Sequence, residues 1–140
     1  MTEPTPLESL RAMLGGTDTL AERMGMVILE ATPERVVGTM PVEGNVQPMG
    51  LWHGGASCVL AESLGSVGAA LHARRLHGGS AVGIEISATH HRGLTSGTVT
   101  GVATPIHLGG QLATYEIVIS DEQGRRICTS RLTCMLRTRG

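Results

Sequence analysis

The feature that most restricts the fold of this chain is an apolar run from Gly54 to Ala73, which contains a single charged residue, Glu62. The run has no proline, and the glycines at 78 and 79 that follow it favour the end of a helix. This pattern predicts one long helix that the rest of the chain buries. A carboxylate in such apolar surroundings costs free energy and is retained mostly where it has a function, so Glu62 is a candidate functional residue.

The step from Trp52 to Gly55 adds a second candidate at the start of this helix. The first N–H groups of a helix have no partner within it, and here they are expected beside His53, where they could receive a developing negative charge. From His53 to Glu62 the helix advances by about 13 Å and turns by about half a turn. We therefore expect two copies to pair about a twofold axis, with the first turn of one helix against the middle of the other. Ser66, one turn after Glu62, is expected on the same face.

The rest of the sequence predicts strands around this helix. Two precede it, at Met26 to Glu30 and at Arg35 to Val42, with a break at Thr32-Pro33. Four follow it, at Ala81 to Arg92, Gly97 to His107, Gln111 to Ser120 and Arg125 to Leu136. In three of these, alternation of apolar and polar residues implies one covered face, formed by Val82, Ile84, Ile86 and Ala88, by Ala113, Tyr115, Ile117 and Ile119, and by Cys128, Leu132, Cys134 and Leu136.

Turn signals complete the fold prediction. Gly109-Gly110 and the segment from Asp121 to Gly124 favour tight hairpins, so neighbouring strands are expected to be antiparallel. Near the N-terminus, Thr5 to Glu8 has the capping-box pattern, and it predicts a short helix with Leu7, Leu10 and Leu14 on one face. Residues 1–140 are therefore predicted to form a single domain of the α+β class, an antiparallel sheet wrapped around one long central helix.

Composition excludes several classes of function. The net charge of −1, with no basic run longer than two arginines, gives no electrostatic footprint for nucleic acid or an anionic membrane. The three cysteines lack a CxxC spacing and fit reduced core residues of a cytoplasmic protein without a disulfide or a zinc site. The N-terminus has no apolar signal core, so neither export nor membrane spanning is predicted. HExxH and GxxxxGK[ST] motifs are absent, and the adjacent His90 and His91 are expected on opposite sides of a strand, which argues against a metal site.

Residues 47–71, QPMGLWHGGASCVLAESLGSVGAAL, carry a specific resemblance to a known family. Together with GIEI at 83–86, ATHHR at 88–92, DEQGR at 121–125 and SRLT at 130–133, this segment resembles the hotdog-fold acyl-CoA thioesterases of the phenylacetate and 4-hydroxybenzoyl-CoA thioesterase type. It is most similar to the branch that includes the enterobactin-pathway proofreading thioesterase and 1,4-dihydroxy-2-naphthoyl-CoA hydrolase. The resemblance covers most of the chain from Met26 onward and implies the hotdog fold.

The resemblance implies roles for five residues at the reaction centre. Glu62 is the catalytic carboxylate, either as a nucleophile or as the base that activates water, and Gly55 supplies a backbone N–H to the thioester oxygen. Gln47 and His53 orient the acyl carbonyl or the leaving sulfur, and Ser66 is a further candidate. The residues alone also allow purely structural roles: a carboxylate paired with an arginine, glycines that only permit tight packing, a histidine that only caps the helix, and a serine bonded to its own helix.

The resemblance also implies that coenzyme A, as part of the substrate and not as a cofactor, lies along a strand edge and the adjoining loops. Arg92 is suited to a phosphate, and Gly83 lets the pantetheine arm approach the backbone closely. For each candidate the alternative is a polar strand end that faces water. The full set of candidates is Gly83, Thr89, His90, His91, Arg92, His107 and Gly109.

The first functional hypothesis is hydrolysis of an aromatic or similar acyl-CoA thioester to the free acid and CoA. The resemblance implies a homo-oligomer, with a dimer as the minimal unit and a tetramer as the usual form. A non-catalytic acyl-CoA binding protein is the alternative, and a dehydratase acting on hydroxyacyl thioesters is a third hypothesis. The shape of the acyl pocket is expected to depend on Leu51, Trp52, Val59, Leu64 and Val67.

Overall fold

A helix of 24 residues, Gly54–His77, is the central element of the fold. The computed structural model describes residues 1–5, 8, 10, 12 and 18–138. The helix ends at Gly78, whose φ of 66° is the left-handed conformation that favours glycine at this position. In chain order the elements are α1 (Leu20–Arg23), β1 (Val27–Thr32), β2 (Arg35–Pro41), α2 (Gly54–His77), β3 (Ser80–His90), β4 (Thr98–Leu108), β5 (Leu112–Ser120) and β6 (Arg126–Arg137).

The six strands form one sheet in the order β1-β2-β4-β5-β6-β3. Every neighbouring pair is antiparallel, as the turn signals predict. The sheet curls around α2, which contacts all six strands. The strands β1 and β3 are its two edges. The predicted α+β hotdog architecture is therefore confirmed.

The core lies between α2 and the inner face of the sheet. Tyr115 is its one large aromatic residue at full burial, and its hydroxyl donates a hydrogen bond to the carbonyl of Pro33. The helix can approach β5 closely because Gly68 has no side chain, and a Cβ there would lie 2.7 Å from the Tyr115 ring. The predicted covered faces of β5 and β6 are confirmed, since the following residues are all buried: Ala113, Tyr115, Ile117, Ile119, Cys128, Leu132, Cys134 and Leu136.

The strand β3 departs from the predicted alternation. Its register against β6 shifts between Gly83 and Glu85, so Ile84 is the extra residue of a β-bulge. One inserted residue reverses the phase of a strand, and Val82 and Ile84 are consequently 41% and 52% exposed. The prediction that they share a covered face with Ile86 and Ala88 is wrong. The residues of β3 that pack on the core are Ala81, Ile86 and Ala88.

The capping-box pattern at the N-terminus is confirmed within the described residues. The N–H of Thr5 donates to Oε2 of Glu8 at 2.7 Å, and the N–H of Glu8 donates to Oγ1 of Thr5 at 3.2 Å. Leu10 is buried in the core, with 3% of its surface exposed. The predicted helix residues Leu7 and Leu14 lie outside the described residues, so the helix as a whole stays a prediction.

The helix α2 is buried on one side only. Leu60 and Leu64 face the sheet, whereas Glu62 is exposed in this chain. The predicted burial of the helix therefore holds for its sheet side only, because a single curled sheet covers one side of a cylinder and leaves the other side open. Of the described helices, α2 is long and apolar enough to span a membrane by length and composition, a test that core helices also pass, and 50% of its most apolar window is buried.

Candidate active site

A groove of about 800 Å³ runs along the open side of α2. One wall is α2 itself. The facing walls are the start of β1, Ala81 of β3, Leu10 and residues 19–22, which we call the α1 region. Most of its lining is apolar, and Glu62, Ser63 and Ser66 supply polar groups on the helix side. The sequence-predicted residues Glu62 and Ser66 are therefore brought together in one groove. Of the residues predicted to shape the acyl pocket, Val59 and Val67 line it, whereas Trp52 and Leu64 are buried in the core.

The carboxylate of Glu62 has no hydrogen-bond or ion-pair partner among the described residues. Its nearest strand is β3, where a Cβ placed on Gly83 would lie 3.1 Å from Oε2 of Glu62. Gly83 thus leaves space above the carboxylate, which any larger residue would fill. The structure therefore does not support a purely structural role for Glu62 as a helix carboxylate paired with an arginine.

Two thiols lie close to Glu62 and respond to its charge. Burial, and then the charge of Glu62, raise the pKa of Cys58, which lies one helical turn before the carboxylate in the same groove. Burial likewise raises the pKa of Cys134, although a hydrogen bond with the Ser66 hydroxyl opposes the shift. The three cysteines are free, but Cys58 is only partly buried. The prediction that all three are core residues thus holds for Cys128 and Cys134 and is wrong for Cys58, because its face of α2 is open.

At the start of α2, His53 is the N-cap residue. The N–H of Gly55 donates to Nδ1 of His53 at 2.8 Å, so the amide predicted to receive the thioester oxygen already has an acceptor in this chain. The hydrogen on the imidazole of neutral His53 is therefore on Nε2. The ring of His90, from the end of β3, packs on Gly54, where a Cβ would lie 2.8 Å from Nε2 of His90. The first turn of α2 is thus flanked by two imidazoles.

Gln47 lies in the loop that leads into α2. Its N–H donates to the carbonyl of Leu51 at 2.8 Å, and its Oε1 accepts a hydrogen bond from the N–H of Met49. The loop is fixed further by a β-bridge between Val46 and Trp52. Gln47 and His53 therefore belong to the start of α2, while Glu62 and Ser66 lie two to three turns further along it.

The candidate CoA-binding residues fall into two groups. His91 hydrogen-bonds through Nε2 to Oγ1 of Thr129 at 2.9 Å, and Thr89 pairs with that same Thr129 on the outer face of the sheet. Arg92 borders a polar cavity of about 330 Å³ between the β3–β4 and β5–β6 loops and has no partner among the described residues.

His107 and Gly109 lie at the β4–β5 turn, near the other end of α2. The carbonyl of Gly109 accepts a hydrogen bond from Nε2 of His72 at 2.8 Å. The ring of His107 packs on Gly109. Because Gly54 and His72 are separated by about 27 Å along the helix, one chain does not bring this turn together with His90, His91 and Arg92.

Several residues of the groove could not be identified as site residues by the predictions above. Cys58 precedes Glu62 by four residues, so a helical projection centred on the carboxylate would have found it. Ser63 directly follows Glu62 and does not share its face by helical spacing, so this projection would not have found it. Leu10, Met26 and Ile28 had no such signal, because their position depends on how the N-terminal segment crosses the helix. Among the described residues, no three His, Cys, Asp or Glu side chains lie together in a way that could hold a metal ion.

Comparison with known proteins agrees with this architecture. The family model of the thioesterase superfamily matches residues 49–128. The proofreading thioesterase EntH of Cronobacter sakazakii is 50% identical over 128 residues, which cover 91% of this chain and 90% of that protein.

Solved structures are similar as well. Thioesterase HI1161 of Haemophilus influenzae has a TM-score of 0.86 at 35% identity and covers 97% of this chain and 93% of its own. The PaaI protein of the E. coli phenylacetic acid degradation operon shares the fold at 24% identity, with a TM-score of 0.78 and coverage of 93% and 91%. The family resemblance of the sequence is confirmed, and the chain belongs to the thioesterase superfamily of hotdog-fold enzymes.

Proposed function

We propose that this thioesterase hydrolyses an acyl-CoA with an aromatic or similar acyl group, and that Glu62 is its catalytic carboxylate. The observation that carries the proposal is a carboxylate without a partner among the described residues, exposed in an apolar groove on α2. Such a group can act in two ways. As a base, it removes a proton from a water whose oxygen attacks the thioester carbonyl. As a nucleophile, it displaces CoA to form an anhydride, which water then hydrolyses.

In both routes negative charge develops on the thioester oxygen before the C–S bond breaks and the CoA thiolate takes up a proton. The N–H of Gly55 is the proposed donor to this oxygen, and His53 and Gln47 are proposed to orient the carbonyl or the sulfur. Glu62 and Gly55 lie about two turns apart on one helix. We therefore propose that the donor and the carboxylate of one site come from two different chains.

The free edge of β3 provides the geometry for this pairing. Gly83 lies at Glu62, and His90 lies at Gly54, so β3 runs antiparallel to this part of α2. A twofold axis through the middle of this stretch, near Ile86, would pair β3 with β3 of a second copy. It would also bring the first turn of one α2 level with Glu62 of the other. Val82 and Ile84, exposed on this edge, would then be covered, as an open apolar edge strand requires.

For coenzyme A we propose that Arg92 contacts phosphate and that Gly83, Thr89, His90 and His91 border the pantetheine arm. The proposal rests on the unpaired guanidinium of Arg92 beside a polar cavity and on the close approach of β3 to Glu62. Contacts of His107 and Gly109 with the same coenzyme A would have to come from another copy of the chain, because this turn lies near the other end of α2. A cytoplasmic location remains the proposed one, since the cysteines are free.

Replacement of Glu62 tests this function. We expect Glu62→Gln and Glu62→Ala to lower kcat for thiol release from benzoyl-CoA or phenylacetyl-CoA by about 100-fold or more, with folding and oligomeric state unchanged. Thiol release is followed with a disulfide dye, and folding by circular dichroism and light scattering. The matched control is Glu30→Gln, which removes an exposed carboxylate of β1 that pairs with Arg35. Near wild-type turnover in Glu62→Gln would refute the catalytic role, and binding of acyl-CoA without any thiol release by the wild type would favour a binding protein.

A further inference from the structure

The walls of the groove differ in how firmly the fold holds them. The α2 wall is part of a continuous helix, and the β1 wall is hydrogen-bonded to β2. The remaining wall is made by Leu10 and by the α1 region, and α1 buries none of its residues. Leu20 of α1 is 60% exposed and borders the groove at its rim. The position of this wall therefore depends on the few apolar side chains that it packs into the groove.

Unlike the residues of α1, Leu10 of this wall is buried. It lines the groove and is also part of the core cluster, with 3% of its surface exposed. Apart from Glu62, the residues that α2 contributes to the lining are small or medium-sized, and no aromatic side chain is among the described residues of the lining. Leu10 is therefore a buried apolar side chain of the described N-terminal wall, and a change in its size would change the space that this wall leaves open.

We propose that Leu10 is a specificity-determining residue that sets the largest acyl group the groove accepts. The inference rests on the proposed function, because it assumes that the acyl group lies in the groove beside Glu62. A hydrophobic pocket discriminates by size, and one methylene group changes kcat/KM by about 10- to 200-fold. The acyl groups concerned are neutral and apolar, since the charged side chains among the described residues of the lining, Glu22 and Glu62, are both acidic.

Two substitutions of opposite size test the proposal. Leu10→Ala should raise the ratio of kcat/KM for naphthoyl-CoA over benzoyl-CoA by about tenfold, and Leu10→Phe should lower the ratio by about tenfold. The control is Leu108→Ala, which removes a partly buried leucine that packs on the core but does not line the groove. It should leave the ratio unchanged. A purely structural role for Leu10 would lower both rates together in both variants, and that result would overturn the proposal.

Cys58 offers a readout that does not depend on hydrolysis. It lines the groove and is partly buried, whereas Cys128 and Cys134 are fully buried. Iodoacetamide should therefore label Cys58 first, as peptide mass spectrometry would show. Labelling should be faster in Leu10→Ala and slower in Leu10→Phe than in the wild type. Equal labelling rates in all three proteins would overturn the proposal that Leu10 limits the space.

The two readouts separate the failure of this proposal from the failure of the proposed function. If the wild type hydrolyses none of the acyl-CoAs, the proposed function is wrong, and the specificity role falls with it. If the wild type hydrolyses them and neither variant changes the ratio, only the role of Leu10 is wrong. Opposite shifts of the ratio in the two variants, with matching shifts in the labelling of Cys58, would support it.

Discussion

At the scale of single residues, Asp121 shows how a buried charge can organise a turn. Its Oδ1 accepts hydrogen bonds from the N–H groups of Gln123 and Arg125 at 3.0 and 2.9 Å, and its Oδ2 pairs with Nε of Arg125 at 2.8 Å. Burial alone would raise the pKa of Asp121, but these bonds and the guanidinium outweigh it, and the pKa is lowered. The charged form is therefore the one that the folded β5–β6 turn favours.

Because the pKa of Asp121 is lower in the folded chain, its charge stabilises the fold above the unfolded pKa, about 3.9. This contribution is lost as the pH falls through the lower folded value. We expect Asp121→Asn to lower the midpoint of thermal unfolding by several degrees at pH 7, with the difference from wild type shrinking below about pH 4. Thermal unfolding followed by circular dichroism across this range would measure it.

Glu122→Gln is the neighbouring control for this experiment. Glu122 accepts a hydrogen bond from the N–H of Thr98 at 2.8 Å and lies on the exposed side of the same turn. Its amide variant keeps that acceptor, so a smaller effect is expected. If the difference between Asp121→Asn and wild type stayed constant down to about pH 3, the charge of Asp121 would not be the source of its stabilising effect.

At the scale of elements, the packing of α2 on the sheet depends on glycines. A Cβ on Gly65 would meet the end of the Leu132 side chain at 2.6 Å, which can move, whereas a Cβ on Gly68 would meet the Tyr115 ring and hydroxyl within 2.8 Å. Tyr115 cannot retreat easily, because it is fully buried and hydrogen-bonded to Pro33. The contact between α2 and β5 is thus tighter than the contact between α2 and β6 at these positions.

We expect Gly68→Ala to destabilise the protein by about 1–3 kcal/mol, through overpacking against Tyr115. Helix propensity acts in the opposite direction and favours alanine over glycine by about 1 kcal/mol. Urea unfolding would measure the net change. The double variant Gly68→Ala/Tyr115→Phe, which removes the hydroxyl from this contact, should lose less stability than the two single changes added together. A net gain of stability in Gly68→Ala would show that propensity outweighs packing.

The same elements show what the sequence could predict. The strands β5 and β6 alternate apolar and polar residues regularly, so their limits and covered faces could be predicted closely. For α2 the limits could be predicted from the uninterrupted apolar run and the glycines that follow it, but its covered face could not, because the run is apolar on all sides. The β3 strand could not, because its bulge at Ile84 depends on pairing with β6, and the alternation on either side of the bulge looks like one continuous pattern. The exposure of Glu62 likewise could not be predicted, since it depends on how far the sheet wraps around the helix, and the composition of the helix does not determine that.

At the scale of the whole molecule, the exposed edge of β3 predicts the oligomer. Ile84 is 52% exposed on this edge, and Leu29 is 52% exposed at a similar bulge of β1, the opposite edge of the sheet. We expect Ile84→Lys to raise the dissociation constant of the dimer about 100-fold, because it would bury unpaired charge at the interface. Light scattering after size exclusion would measure the shift toward monomer, with thiol release falling in parallel.

Leu29→Lys is the matched control, since it adds the same charge at an exposed bulge residue of the other edge strand. It should leave the mass in solution and the activity unchanged. If Ile84→Lys also stayed dimeric, the β3 edge would not be the interface. The proposed pairing of two chains follows from the spacing of His53 and Glu62, but the strand proposed to mediate it could not be predicted from the sequence, because the bulge exposes Val82 and Ile84 only in the folded sheet.

The hydrogen bond between Gly55 and His53 has a consequence for how turnover would proceed. An amide that already has an acceptor gains little when a neutral thioester oxygen takes the place of a ring nitrogen, so the exchange is almost neutral for the resting substrate. The balance changes once that oxygen becomes anionic, because a charge-assisted bond is about twice as strong as a neutral one. A donor that is satisfied at rest would therefore add little to the binding of the resting substrate and would favour the reacting complex.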